Sequence, residues 1–259
     1  MDDLKRYSRR EILKRGAGAL SALSFAGSFP SGHSPEDLVV VRLSGGNDAL
    51  NTVVPLLCGE YKRHRQSISI SESELIELTE EYGLHPALTE TASIYRNGDL
   101  AFLLGVGFPA DTETSSHELA DYFWKTGDLK ADGFLTEENP EFFLNCRYLQ
   151  LDGFDTHSNQ VSKQEKALKE LDRLISREYS SKKTIFVYSE FGRSLSENEE
   201  GGTDHGLAGL AMLIGGKVRG GIYGEYRFEG DNLAAVLEPS IIYDAIENRD
   251  RAKDNLYFS

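Results

Sequence analysis

Two cysteines in 259 residues, Cys58 and Cys146, stand far apart with no Cys-x-x-Cys spacing, so a zinc ribbon and a thioredoxin-type motif are excluded. They allow at most one disulfide, and only in an oxidising compartment. Basic residues are scarce too. With 28 Lys and Arg against 42 Asp and Glu the formal net charge is −14, which argues against a nucleic-acid surface, because phosphate binding needs clustered cations. The apolar stretch at 16–29 falls short of the roughly 20 residues that span a bilayer comfortably. There is no GxGxxG or P-loop pattern, hence no nucleotide site, and no internal repeat.

What is present begins with a hydrophobic fraction of 39%, enough for a sizeable core. Most of the acids are expected simply to solvate the surface, although carboxylates are also what hard and borderline cations seek.

The N-terminal segment reads as an address. Ser8-Arg-Arg-Glu-Ile-Leu-Lys14 resembles the twin-arginine export motif, an apolar small-residue stretch follows, and Ser24-Phe-Ala26 offers the small residues a signal peptidase reads. The competing reading is an amphipathic surface helix with a chance Arg pair. On the export reading, residues 1–26 are a signal peptide and 27–36 a polar linker. Cleavage removes six basic and three acidic residues and takes the charge from −14 to −17. A periplasmic or secreted protein is expected, with the export machinery as partner and no stable membrane span after processing.

From residue 37 to 248 the pattern predicts one α/β domain, followed by a polar tail at 249–259. Runs 38–43, 100–106, 147–151 and 184–188 are apolar, β-branched or aromatic, and of strand length. Residues 161–179 place Ala167, Leu168, Leu171, Leu174 and Ile175 at helical spacing. Strand, helix, strand over 147–188 is a βαβ unit, which predicts two parallel neighbours. Helices are also predicted over 85–97, with Pro86 in the first turn and Gly98 as stop, over 118–125, and over 240–248. Segment 207–215 reads as buried, and 215–224 as turns around a short strand. Tyr61-Lys-Arg-His-Arg65 and the acidic tract at 71–78 read as solvated faces.

Chemistry concentrates at the ends of the predicted strands. Asp48 closes Ser-Gly-Gly-Asn-Asp at 44–48; Asp155 and His157 lie in Gly-Phe-Asp-Thr-His at 153–157; Glu190 and Arg193 in Ser-Glu-Phe-Gly-Arg at 189–193; Asp204 and His205 in Gly-Thr-Asp-His-Gly at 202–206. In open parallel sheets ligands bind outside the carboxyl ends of the strands, so these groups are expected to meet. Carboxylates and imidazoles together make a mixed O/N site for Zn²⁺ or Mn²⁺, singly or in pairs. Such ions would clamp an ester phosphate or sulfate, and Arg193 would pair with its oxygens. Ser115, Ser116 and His117 precede a predicted helix, a placement that suits an N-cap and equally a nucleophile or anion site. Plainer readings stay open: Asp155 and Thr156 as helix caps, Glu190 with Arg193 as a mutual ion pair, Asp204 supporting a turn, His85 capping or packing.

Taken in order, Ser8-Arg-Arg, Gly45-Gly-Asn-Asp48, His85-Pro, Ser116-His117 and the three later motifs resemble the domain-of-unknown-function-1501 family, exported bacterial proteins grouped with the alkaline phosphatase and sulfatase superfamily. The resemblance runs from about residue 8 to about residue 225. It implies an alkaline-phosphatase-like three-layer sandwich, a mostly parallel sheet with helices on both faces. It further implies Asp48 at the first-strand ligand position, Asp155 and His157 as the pair holding one ion, and Ser115 or Ser116 in the nucleophile region. The one-residue spacing of Asp155 and His157, and the short stretch from Gly133 to Leu151, depart from that pattern. The function expected is therefore an exported metal-dependent hydrolase of phosphate or sulfate esters acting on a small anionic substrate. The alternative is a non-catalytic secreted binding or assembly protein with a degenerate site.

Overall fold

A computed structural model describes residues 38–107, 124, 146–216 and 218–237, all within the compact unit His33–Ser259. The expected signal peptide, linker, Ser115, Ser116, His117, final helix and tail lie outside the described residues.

The order of elements is β1 (Leu38–Leu43), α1 (Ala49–Thr52), β2 (Val53–Pro55), α2 (Gly59–His64), a single 3₁₀ turn (Glu72–Glu74), β3 (Ile76–Glu77), β4 (Tyr82–Leu84), α3 (Thr89–Arg96) and β5 (Leu100–Gly107). Then come β6 (Arg147–Leu151), α4 (Gln160–Glu178), β7 (Thr184–Ser189), β8 (Gly192–Glu197), β9 (Thr203–Gly206), β10 (Ala208–Ile214), β11 (Gly221–Gly224), β12 (Arg227–Glu229) and β13 (Asn232–Ala234). Six strands form the central sheet in the order β11-β5-β10-β7-β1-β6. β1 is parallel to β6 and β7, β11 is parallel to β5, and β10 is antiparallel to both β5 and β7. Among the described strands of this sheet, five therefore point one way and β10 alone returns. This is a mixed α/β protein with a mostly parallel central sheet.

One expectation is corrected by this order. β6 and β7 are parallel but not neighbours, since β1 lies between them and pairs with both, Val40 opposite Tyr148 on one side and Phe186 on the other. The reason is composition: β1 is the strand buried on both faces, whereas the side chains of β6 are exposed or half-buried, as an edge strand's can be. The helical crossover between β6 and β7 consequently passes over β1.

Alternation divides β1 between two cores. Val39, Val41 and Leu43 join Leu168, Leu171 and Ile175 of α4 on one face. Leu38 and Val40 join Phe186, Tyr188 and Trp124 on the other. All five apolar residues expected on the inner face of α4 are buried. At about 1.5 to 3 kcal/mol for each large apolar side chain removed from water, packing rather than propensity holds this helix.

α3 starts four residues later than the sequence suggests. His85 Nδ1 accepts from the Ala87 amide, and Leu88 N–H donates to His85 O, so residues 85–88 form a turn and His85 acts as a local cap. The N-terminus of α3 is then satisfied from another helix: Asp172 of α4 accepts from the amides of Glu90 and Thr91 and from both Thr hydroxyls. Gly98 ends the helix at φ +81.

Tyr61 and Arg65 are a second correction. Lys62 and Arg63 are solvated as expected, but Tyr61 and Arg65 are wholly buried because a carboxylate waits for the guanidinium inside. Both cysteines are free thiols, and burial pushes the Cys146 thiol up to about 11.

Candidate metal centre

All four polar motifs gather at the carboxyl end of the parallel strands. β1 runs into residues 44–48, β6 into 152–157 and β7 into 190–191, while β8 and β9 form an antiparallel hairpin that carries the fourth motif, 202–206, back to the start of β10. Backbone geometry brings them close. Gly45 has φ +116, and a Cβ placed there would lie 2.3 Å from the Asp155 amide nitrogen. Only glycine lets the β1 loop lie directly against that motif.

Three ligand atoms converge on one point. Asp155 Oδ1 lies 3.2 Å from His157 Nε2 and 3.6 Å from His205 Nε2, and the two Nε2 atoms are 3.0 Å apart. Three tetrahedral ligands bound at about 2.0 to 2.1 Å must stand roughly 3.3 Å from one another. The measured separations bracket that value, so the donor set fits a divalent ion. Two imidazole nitrogens at 3.0 Å also need a proton or a cation between them, since two lone pairs repel.

The surroundings set orientation and charge. His157 Nδ1 lies 3.3 Å from Asp204 Oδ1, so with Nδ1–H donating there the Nε2 lone pair faces inward. His205 packs on the Phe191 ring at 4.2 Å between centroids. Burial opposes ionisation of Asp155, but the hydrogen bond from Arg193 and the charges of Arg193 and the two histidines outweigh it and hold the carboxyl below its ordinary value. The side chains of Asp155, His157 and His205 are 52%, 43% and 24% exposed, so the point where they meet is reachable from solvent.

The other candidates are placed differently. Asp48 is buried and turned inward: Oδ1 accepts from the Leu50 and Asn51 amides as the N-cap of α1, and Oδ2 accepts from Arg65 at 2.6 Å and from Gln160. Glu190, fully buried, accepts from the Gly45 amide at 2.8 Å and from Arg42 at 3.3 Å. Its expected ion pair with Arg193 does not form. Arg193 instead donates to the carbonyls of Gly46, Thr203, Gly45 and Phe154 and to Asp155 Oδ1 at 2.7 Å. Stranding a buried acceptor costs about 1 to 3 kcal/mol, so withdrawing this guanidinium toward a substrate would forfeit several such amounts at once. The expected substrate-facing fork is replaced by an internal staple. The helix-cap reading of Asp155 and Thr156 is also replaced, because Asn159 at φ 50 occupies the N-cap of α4, and the amides of Asn159 and Gln160 donate to the carbonyls of Glu200 and Gly201.

Sequence reasoning passed over the residues that assemble this site. Asn198 Nδ2 donates to His157 O at 2.9 Å and reaches Asp204 Oδ1 at 3.4 Å. Gln160 Oε1 accepts from Thr156 Oγ1 at 3.1 Å and Thr203 Oγ1 at 2.7 Å. The available signal was a glutamine on the first turn of an amphipathic helix, at a position that the helical period assigns to the buried face.

No curated protein and no solved structure matches the chain. Residues 144–252, the stretch that supplies Asp155, His157 and His205, match the family described as "Protein of unknown function (DUF1501)", and that match supports kinship with this family over that part of the chain.

Proposed function

We propose that this protein is an exported metal-dependent hydrolase of phosphate or sulfate esters, built on an alkaline-phosphatase-like sandwich, that holds one divalent ion between Asp155, His157 and His205. The observation that carries the reading is the convergence of one carboxylate oxygen and two imidazole nitrogens within 3.6 Å at the carboxyl edge of a mostly parallel sheet. When bound, zinc or manganese supplies Lewis acidity toward an ester oxygen and activates water for attack. The chain's own residues orient the donors: Asp204 and Asn198 fix the His157 ring and its carbonyl, Phe191 backs His205, and Arg193 keeps Asp155 ionised. Asp48 and Glu190 are engaged inside the fold, which favours one ion over a pair.

The test is metal content of the purified mature chain, followed by hydrolysis of aryl phosphate and aryl sulfate esters by wild type, His205→Ala and Asp155→Ala. About one ion per chain, with metal-dependent turnover lost in both variants, is expected. Wild-type protein that neither retains metal nor gains activity from added Zn²⁺ or Mn²⁺ would refute the reading. One observation favours the second reading, a non-catalytic binding or assembly protein: Arg193, the cation expected to meet a substrate anion, is turned inward. Tight metal binding with no turnover of any ester would select it. Export is tested by Arg9→Lys with Arg10→Lys, which should leave the precursor in the cytoplasm; unchanged export would remove that part of the proposal.

A further inference from the structure

We infer that Gln160 is the positioning residue of the metal centre, gripping both ligand-bearing segments through Thr156 and Thr203, with the buried pair of Asp48 and Arg65 fixing the direction of its grip. The inference rests on the metal reading above and explains how two segments nearly fifty residues apart come to one point.

The polarity of the network follows from one group. Asp48 is bonded to Arg65 at 2.6 Å, with both side chains buried, and an ionised carboxylate only accepts. It therefore faces the amide nitrogen of Gln160, not the oxygen. The amide oxygen is thereby aimed at the hydroxyls of Thr156 and Thr203, which donate to it. Arg65 is secured in turn by Leu195 O, Ser194 O and Asn51 Oδ1, so the anchor does not swing.

The two threonines sit where a grip has most effect. Thr156 lies between Asp155 and His157; with its hydroxyl drawn inward, the side chains on either side of it turn outward together. Thr203 and His205 share a face of β9, because strand side chains alternate. Anchoring the first sets the rotation of the strand and so the direction of the second. The Thr203 amide donates to Thr156 O at 3.2 Å, and a Cβ added at Gly202 would lie 2.3 Å from the His157 carbonyl carbon and oxygen, so the two segments are in direct backbone contact. The hydroxyls thus set a registration that the Asp155, His157 and His205 separations report.

The experiment is a Co²⁺ titration of the metal-free mature chain, read by the visible ligand-field bands and by affinity, in wild type, His205→Ala, Thr203→Val, Thr203→Ser and Thr156→Val. Valine keeps the volume and removes the hydroxyl, while serine keeps the hydroxyl. Thr203→Val and Thr156→Val should each weaken Co²⁺ binding by about 10- to 100-fold and alter the bands, and Thr203→Ser should stay within about 3-fold of wild type with an unchanged spectrum. Should either valine variant fail to fold by circular dichroism, the other carries the test. If wild type binds Co²⁺ and His205→Ala does not, while the folded valine variants match wild type, the positioning role is wrong and the metal site stands. If wild type shows no ligand-field bands, the metal reading fails and this inference falls with it.

Discussion

His85 shows how far burial alone can move a side chain's chemistry. Its ring is buried, and that burial, outweighing the attraction of the Glu165 carboxylate, pulls its pKa down to about 4; Nδ1 meanwhile accepts from the Ala87 amide, a role open only to the neutral ring. The unfolded chain titrates its histidines near 6.5. A folded value below the unfolded one means that the unfolded state binds more protons between them. The stabilisation is therefore fully present above about 6.5 and drains away as pH falls toward 4, with an upper limit of about 3 kcal/mol. His85→Asn keeps an acceptor for the Ala87 amide without the titration. Urea midpoints measured from pH 7 to 4 should fall more steeply for wild type than for the variant, and parallel curves would show that the ring is not held neutral. The same scale decides the fate of the acids. Asp48, Asp155, Glu190 and Asp204 look alike in sequence, yet two are engaged inside by Arg65, Arg42 and backbone amides while Asp155 and Asp204 face the two histidines. Their difference lies in partners that neighbouring sequence does not name.

At the level of elements, α3 and α4 depend on each other through one carboxylate. Asp172 is buried on α4, at a position the helical period places inward, and its four acceptor bonds satisfy the start of α3. Asp172→Ala removes the cap and leaves buried amides unpaired, for an expected loss of about 1 to 3 kcal/mol. Hydrogen exchange should localise it: amides at the N-terminal turn of α3 lose protection first, while β1 and β7 keep theirs. Equal loss of protection throughout the sheet would mean that the cap is not local to α3. Strand positions and the inner face of α4 were legible because they rest on period and residue type. The start of α3 was not, since Pro86 and the charged first turn fit a helix at 85 as well as one at 89, and only contact with Asp172 separates the two. The adjacency of β6 and β7 failed for a like reason: a crossover of that length reaches one strand over as readily as the next.

For the molecule as a whole, the centre joins the loop after β6 to the β8–β9 hairpin, two segments that touch through backbone hydrogen bonds but are separated in the chain by the long helix and β7. An ion binding there closes that span in the folded state alone and must stabilise it. At free metal 100-fold above its dissociation constant the gain is about 2.7 kcal/mol. For a chain of this size that raises the melting temperature by roughly 5 to 10 °C. The shift should appear on adding Zn²⁺ or Mn²⁺ to the purified protein, vanish with chelator, and be absent in a variant carrying His157→Ala and His205→Ala. A wild-type melting temperature indifferent to both metals would remove the ion from the centre.

Local sequence settled what depends on local forces. Alternation and β-branching wrote β1, β5 and β7, helical spacing wrote α4, and paired glycines marked the turn after β1, because steric and solvation preferences act on each residue and its near neighbours. The gathering of Asp, Glu and His at strand ends was readable for the same reason. Tertiary structure alone decided which of them face one shared point and which are engaged inside the fold. A carboxylate's role is set by the nearest positive charge or amide in space, and burying Arg65 against Asp48, and Arg193 against four carbonyls, was a decision of packing among segments far apart in the chain.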